Sequence, residues 1–173
     1  MTDQPSIDWD AVLCAPGFAL GIATAGDRLS RIEFLHEQPA RPARNALAAE
    51  TVRQLAAYLE NPLHRFDLPC LPDGTAHRQK VWQVMLDIAP GQTLTYGEVA
   101  RRIGSSPRAV GGACGANPLP VVIPCHRIVA SGGALGGFAH STHGFLPGIK
   151  RWLLAHEAAA SGFTLTARAP ALS

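Results

Sequence analysis

The sequence predicts an α+β fold: a small N-terminal α/β module containing a β-hairpin, followed by a mostly helical part containing a helix-turn-helix. Three observations carry this expectation. Alternation of apolar and polar residues at period two is confined to residues 18–35, the pattern of half-buried strands. Helical spacing and helix-start signals dominate after residue 73. Between them the composition shifts, which places the expected units at 1–72, 73–160 and a tail at 161–173.

Composition bounds the rest. The chain has 173 residues, 47% of them apolar and 16% charged, enough to build a core. No run of about 18 apolar residues is present, so no membrane span is expected. Met1 to Pro5 lacks the basic-then-apolar pattern of a secretory leader, and the cytoplasm is the expected compartment. Cys14, Cys70, Cys114 and Cys125 show no ligand spacing, which argues against a metal site or a disulfide framework. The net charge of +2 predicts no polyanion partner by itself. Its distribution is more informative: Arg78, Lys80, Arg101, Arg102 and Arg108 face only Asp87 and Glu98 in that stretch.

Taken in order, residues 1–10 read as disordered. Phe18–Thr24 and Leu29–Leu35 alternate around Gly26-Asp27, a hairpin signal. Residues 37–45 form a loop. Apolar residues at 47, 48, 52, 55, 56 and 59 predict a helix over Ala46–Glu60, stopped by Asn61-Pro62. Phe66–Cys70 reads as one more strand. Thr75 opens a helix ended by Pro90-Gly91. Thr95 and Glu98 form a capping box, and Ser106-Pro107 starts a second short helix to about Gly115. Leu119–Ile123 is a short buried apolar segment, and Ile149–Ala160 the last helix.

The chemistry gathers at Pro124-Cys125-His126-Arg127. A thiolate is favoured beside cations, although a free cysteine is also a small hydrophobe that cores readily bury. On an extended backbone His126 points away from Cys125, so a turn or a bridging water is required for them to cooperate. The helix Arg108–Gly115 carries adjacent Gly111 and Gly112, which cost about 2 kcal/mol of helix propensity. Either tight packing inside the protein or a close approach from outside accounts for them. Glycine-rich Ser131–Ala139 suits a pocket lined by backbone.

Tyr96-Gly97-Glu98-Val99-Ala100, Arg108-Ala109-Val110-Gly111, Asn117-Pro118, Pro124-Cys125-His126-Arg127 and Lys150–Glu157 resemble the O6-alkylguanine-DNA alkyltransferases over residues 74–157. The resemblance implies a repair protein that binds duplex DNA from the minor groove and flips out O6-alkylguanine. It implies irreversible, stoichiometric transfer of the alkyl group to Cys125, by a monomer with no cofactor and no metal. Its implied catalytic set is Cys125, His126, Glu157 and Asn117. Its implied DNA and base contacts are Tyr96, Arg108, Ala109, Gly111, Gly112, Cys114, Ile128 and Phe138. Arg108 fills the gap in the stack, Tyr96 crowds the phosphate, and the carbonyls of Cys125 and Ile128 accept from guanine.

The chain departs from the human-type pattern at several points. The turn before Arg108 is two residues shorter, and the loop His140–Gly148 is several residues longer. Phe138 replaces a tyrosine, keeping the wall and losing its hydrogen bond. Gly115 replaces an arginine, and the N-terminal zinc ligands of some members have no counterparts. Other classes of function were weighed against these residues. A non-catalytic lesion-binding relative replaces the cysteine that this chain keeps. A transcription regulator has no use for the thiol, and a cysteine hydrolase requires an oxyanion motif that is missing.

Overall fold

The computed structural model describes residues 7–70, 72–138 and 144–160. The expected tail at 161–173, the first six residues of the segment read as disordered, and the first part of the lengthened loop (140–143) lie outside the described residues.

An antiparallel meander opens the chain: β1 (Ala11–Ala15), β2 (Phe18–Ala25) and β3 (Arg28–Leu35), in the order β1-β2-β3. The hairpin β2–β3 is where the alternation predicted it. β1 was not anticipated, because Ala-Val-Leu-Cys-Ala does not alternate; Gly17, at φ +85°, makes its turn into β2. The expectation of disorder up to residue 10 is corrected for Trp9 and Asp10. Trp9 lies flat on Gly21, where a Cβ would stand 2.5 Å from its ring, so only glycine fits beneath it. The Asp10 carboxylate accepts from the Thr24 N–H at 2.8 Å and its hydroxyl at 3.0 Å. These contacts cover the second face of β2.

Helix α1 (Ala46–Glu60) begins where Asn45 Oδ1 accepts from the Ala48 N–H at 2.8 Å, and ends at Asn61. The strand expected at Phe66–Cys70 does not form. The buried Gln54 side chain satisfies both backbone groups of Asp67 at 2.8 Å, and Pro69 has no N–H to offer a ladder. The Leu29 N–H of β3 donates to the Pro69 carbonyl at 2.8 Å.

Helices α2 (Ala76–Leu86), α3 (Tyr96–Ile103) and α4 (Pro107–Gly115) follow, with β4 (Leu94–Thr95) before α3. Both halves of the Thr95–Glu98 capping box are made, and Ser106 caps α4. Gly104, at φ +67°, turns the chain between α3 and α4. The Trp82 indole N–H donates to the Ala113 carbonyl at 3.0 Å and fastens α2 to α4.

The apolar run 119–123 is a tight turn rather than an extended segment. Val121 sits at φ +74°, costly for a β-branched residue, and the Ile123 N–H bonds back to the Leu119 carbonyl at 2.8 Å. Strand β5 (Ile128–Val129) then pairs in parallel with β4. Helix α5 (Phe145–Ala160) starts four residues earlier than expected. One buried core runs from Phe18, Ile32 and Leu55 through Trp82 and Val110 to Ile128 and Leu153. The Ile32 N–H donates to the Pro118 carbonyl at 2.9 Å, and the Phe34 and Phe138 rings meet at 5.4 Å, so the sheet packs directly behind the cysteine segment. Among the described residues, no helix is long and apolar enough to cross a membrane.

Candidate active site

Cys125 opens a single 3₁₀ turn, Cys125–Arg127, and all three side chains are buried. This turn replaces the extended backbone that would have sent Cys125 and His126 in opposite directions. The Cys125 N–H donates to the Ile123 carbonyl at 2.8 Å, so the strained Val121 turn anchors the thiol directly. Asn117 ties the same turn from the other side: its amide donates to the Ile123 carbonyl at 2.8 Å, and its oxygen accepts from the Leu119 N–H at 3.0 Å.

Burial pushes the Cys125 thiol up to about 11, with the Asn117 amide, the Lys150 ammonium and nearby backbone N–H groups pulling the other way. At neutral pH the resting group is therefore a thiol, and its use as a nucleophile requires a base. Burial also raises the Cys114 and Cys70 thiols.

The next residue in the chain is a histidine. His126 is fully buried, and its Nε2 lies 2.6 Å from Glu157 Oε2. Its Nδ1 is buried with no hydrogen-bond partner among the described residues. With Nε2–H donating to the carboxylate, Nδ1 carries the lone pair. Burial holds the imidazole below its usual range despite the opposing pull of Glu157, so it is neutral and able to accept a proton. Burial also works against the Glu157 charge, but His126 and Arg127 prevail and keep the carboxylate ionised. Arg127 donates to both carboxylate oxygens, at 2.9 and 3.0 Å, and to the Ile88 carbonyl at 2.6 Å.

Two buried groups were missed from the sequence. The Lys150 ammonium is fully enclosed, donating to the carbonyls of Ile128 at 2.7 Å and Gly137 at 3.0 Å. It stands 5.7 Å from the Tyr96 ring centre and 5.9 Å from that of Phe138, and burial pulls it down to about 8. Its spacing of seven residues from Glu157, two turns along one helix face, was the available signal. The other is Tyr58, whose hydroxyl donates to Glu157 Oε2 at 2.7 Å. Nothing in its neighbourhood of the chain announces that partner.

A cavity of about 560 Å³ opens beside Cys125, lined by Cys114, Asn117, Phe138, Phe34 and Leu146 among others. Phe138 lies in its lining. The Ile128 carbonyl already receives Lys150, so any further donor shares it. Gly136, at φ +74°, lets the backbone pass Tyr96, where a Cβ would come within 3.1 Å of the ring.

Arg108, Ala109 and Gly112 are not gathered into this cavity; they lie exposed on α4. A Cβ on Gly112 would meet nothing within 4 Å, and one on Gly111 only the Tyr96 ring at 4.0 Å. Packing inside the protein therefore does not demand either glycine. Among the described residues no group of His, Cys, Asp and Glu is arranged to hold a metal ion.

Fold and site together define an α+β protein with a buried cysteine set against a histidine–carboxylate pair. Residues 76–159 match the family model described as 6-O-methylguanine DNA methyltransferase, DNA binding domain. A methylated-DNA–protein-cysteine methyltransferase of Mycobacterium bovis is 37% identical over 127 residues, covering 69% of this chain and 76% of the relative. One of Methanosarcina acetivorans is 42% identical over 92 residues, covering 52% of this chain; the chain spans only 59% of that relative's length. The crystal structure of Mycobacterium tuberculosis OGT in complex with DNA superposes with a TM-score of 0.72 at 34% identity, covering 86% of this chain and 92% of that one. The chain belongs to the methylated-DNA–protein-cysteine methyltransferase family.

Proposed function

We propose that this protein repairs DNA by taking the alkyl group of O6-alkylguanine onto Cys125. The observation that carries the reading is the state of His126. One ring nitrogen lies against Glu157, while the other is buried with no partner among the described residues, one residue from a thiol that requires deprotonation. In the reaction the thiol proton passes to His126 Nδ1 through a water. The sulfur then attacks the alkyl carbon, the S–C bond forms as the C–O6 bond breaks, and the electron pair stays with the guanine. The guanine ring takes up a proton, which closes the balance without cofactor or metal. A thioether has no route back to the thiol here, so each molecule acts once.

Duplex DNA is the partner that best suits α4. Two adjacent glycines weaken a helix but leave its backbone open to a close approach, and among the described residues only the Tyr96 ring, 4.0 Å from a Cβ on Gly111, comes near. We take α3 and α4 as a helix-turn-helix, with α4 in the minor groove, Arg108 entering the stack, and Tyr96 against the phosphate of the extruded base. Flipping costs a few kcal/mol, least for a damaged base. Residues 1–72 serve as scaffold and 73–160 as the transfer unit. One copy holds every group invoked, and we take a cytoplasmic monomer as the working form.

Intact mass after incubation with duplex DNA containing O6-methylguanine tests the reading. The expected result is a gain of one methyl group mapped to Cys125, lost in Cys125→Ser while DNA binding persists. Binding without any gain in mass would return the lesion-binding reading instead.

A further inference from the structure

We propose that Tyr58, on helix α1, is a positioning residue for alkyl transfer, its hydroxyl setting the proton affinity of His126 through the carboxylate they share. The inference rests on the proposed function for its reaction, but on geometry for its physics. Tyr58 Oη donates to Glu157 Oε2 at 2.7 Å, and His126 Nε2 lies 2.6 Å from that same oxygen. Tyr58 stands 99 positions from Glu157 in sequence and outside residues 76–159, the stretch matched by the family model.

The hydroxyl is held in place. Its ring is buried between Phe66, at 5.7 Å, and His156, at 5.4 Å, and its own carbonyl bonds His156 Nε2 at 2.9 Å. Burial, reinforced by the Glu157 charge, pushes the phenol far above its usual range, so it remains a donor at every working pH. Tyr58, His126 and Arg127 Nη2, the last at 3.0 Å, all fall on this one carboxylate oxygen and compete for its electron density. Removing the phenol leaves Oε2 a stronger acceptor for His126, which favours the imidazolium. The groups facing His126 are Glu157 and Lys150 from α5, Arg127 and Cys125 from its own turn, and Tyr58 through Glu157 from α1. The segment just after helix α2 contributes the Ile88 carbonyl, on Arg127. Tyr58 thus acts on this carboxylate beside the charged Arg127 without bringing a charge of its own.

The test is Tyr58→Phe, which keeps the ring. Two readouts are taken: the titration midpoint of His126 by NMR in the DNA-free protein, and the single-turnover transfer rate against pH. The expected result is a midpoint raised by about half to one pH unit, with the acid limb of the rate profile moving by the same amount. Above that limb the rates should agree within about twofold. An unmoved midpoint or limb overturns the proposal, even if the melting temperature falls, since that marks a structural role alone. If Tyr58→Phe does not fold, 3-fluorotyrosine at position 58 replaces it. This stronger donor should lower the midpoint, and no lowering is equally fatal. A parent protein that transfers no alkyl group refutes the proposed function, while the DNA-free titration still decides whether Tyr58 governs His126.

Discussion

His126 Nε2 and Glu157 Oε2 lie 2.6 Å apart with neither side chain reaching solvent, 31 positions separating them in sequence. Burial alone favours the neutral form of both. The hydrogen bonds of His126 and Arg127 hold Glu157 ionised, while burial keeps His126 neutral.

In the proposed reaction this pair should set the pH dependence of transfer. Because burial depresses the His126 value, the imidazole is the free base across neutral pH and becomes protonated only as pH falls below its ordinary range of about 6.5. The transfer rate should be flat near pH 7–8 and decline on the acid side of about 6.5. A single-turnover profile already falling between pH 8 and 7 would contradict the assignment.

Glu157→Gln should slow transfer by about 10²–10⁴-fold, the usual contribution of general acid–base assistance. It should also destabilise the protein by about 3–5 kcal/mol, because Arg127 is left buried without its counter-charge. DNA affinity should change little. Transfer rate, denaturant midpoint and a binding isotherm on the same sample separate these effects, and parent-like transfer would remove Glu157 from the mechanism.

Gly112→Leu should act in opposite directions on stability and binding. No protein atom lies within 4 Å of a Cβ there, so the helix gains about 1 kcal/mol of propensity. The same side chain would obstruct a groove, weakening duplex binding by about tenfold or more, equivalent to about 1.4 kcal/mol. Thermal melts and titrations with DNA read the two effects separately. Unchanged DNA affinity would mean that α4 does not face the duplex.

Arg108→Ala distinguishes stacking from simple charge. If the guanidinium fills the space of an extruded base, the loss of transfer should be large on duplex DNA and milder opposite a mismatch. It should be smallest on free O6-benzylguanine, which requires no flipping. A phosphate contact would instead weaken binding to all DNA and reduce the salt slope by about one. Equal loss on the free base, together with a lower melting temperature, would make Arg108 structural.

Lys150 should leave a signature at alkaline pH. Burial lowers its folded value to about 8, below that of the unfolded chain, so unfolding takes up a proton between those limits. The parent protein should therefore gain stability relative to Lys150→Met as pH rises from about 8 to about 10.4, the ordinary lysine value. Paired denaturant melts across that range check the sign. A constant difference would place the lysine in solvent rather than beneath Ile128 and Gly137.

The sequence by itself determined whatever depends on a few neighbouring residues. Thr75, Thr95 with Glu98, and Ser106 with Pro107 each announced a helix start, because a cap is made within three residues of chain. The Pro-Cys-His-Arg motif and the two glycines of α4 marked where chemistry and a close approach would fall. Only the tertiary structure decided what those residues meet. Phe66–Cys70 reads as a strand until the Gln54 side chain takes the backbone of Asp67. Val-Val-Ile reads as extended until the turn is closed with Val121 at positive φ. The partners of Glu157 arrive from a helix 99 positions away and a turn about 30 positions away, and Lys150 finds the carbonyls of two other segments. The physical reason is common to all of these. A buried charge is tolerable only where several distant donors or acceptors converge on it, and convergence is a property of the folded chain that no local pattern encodes.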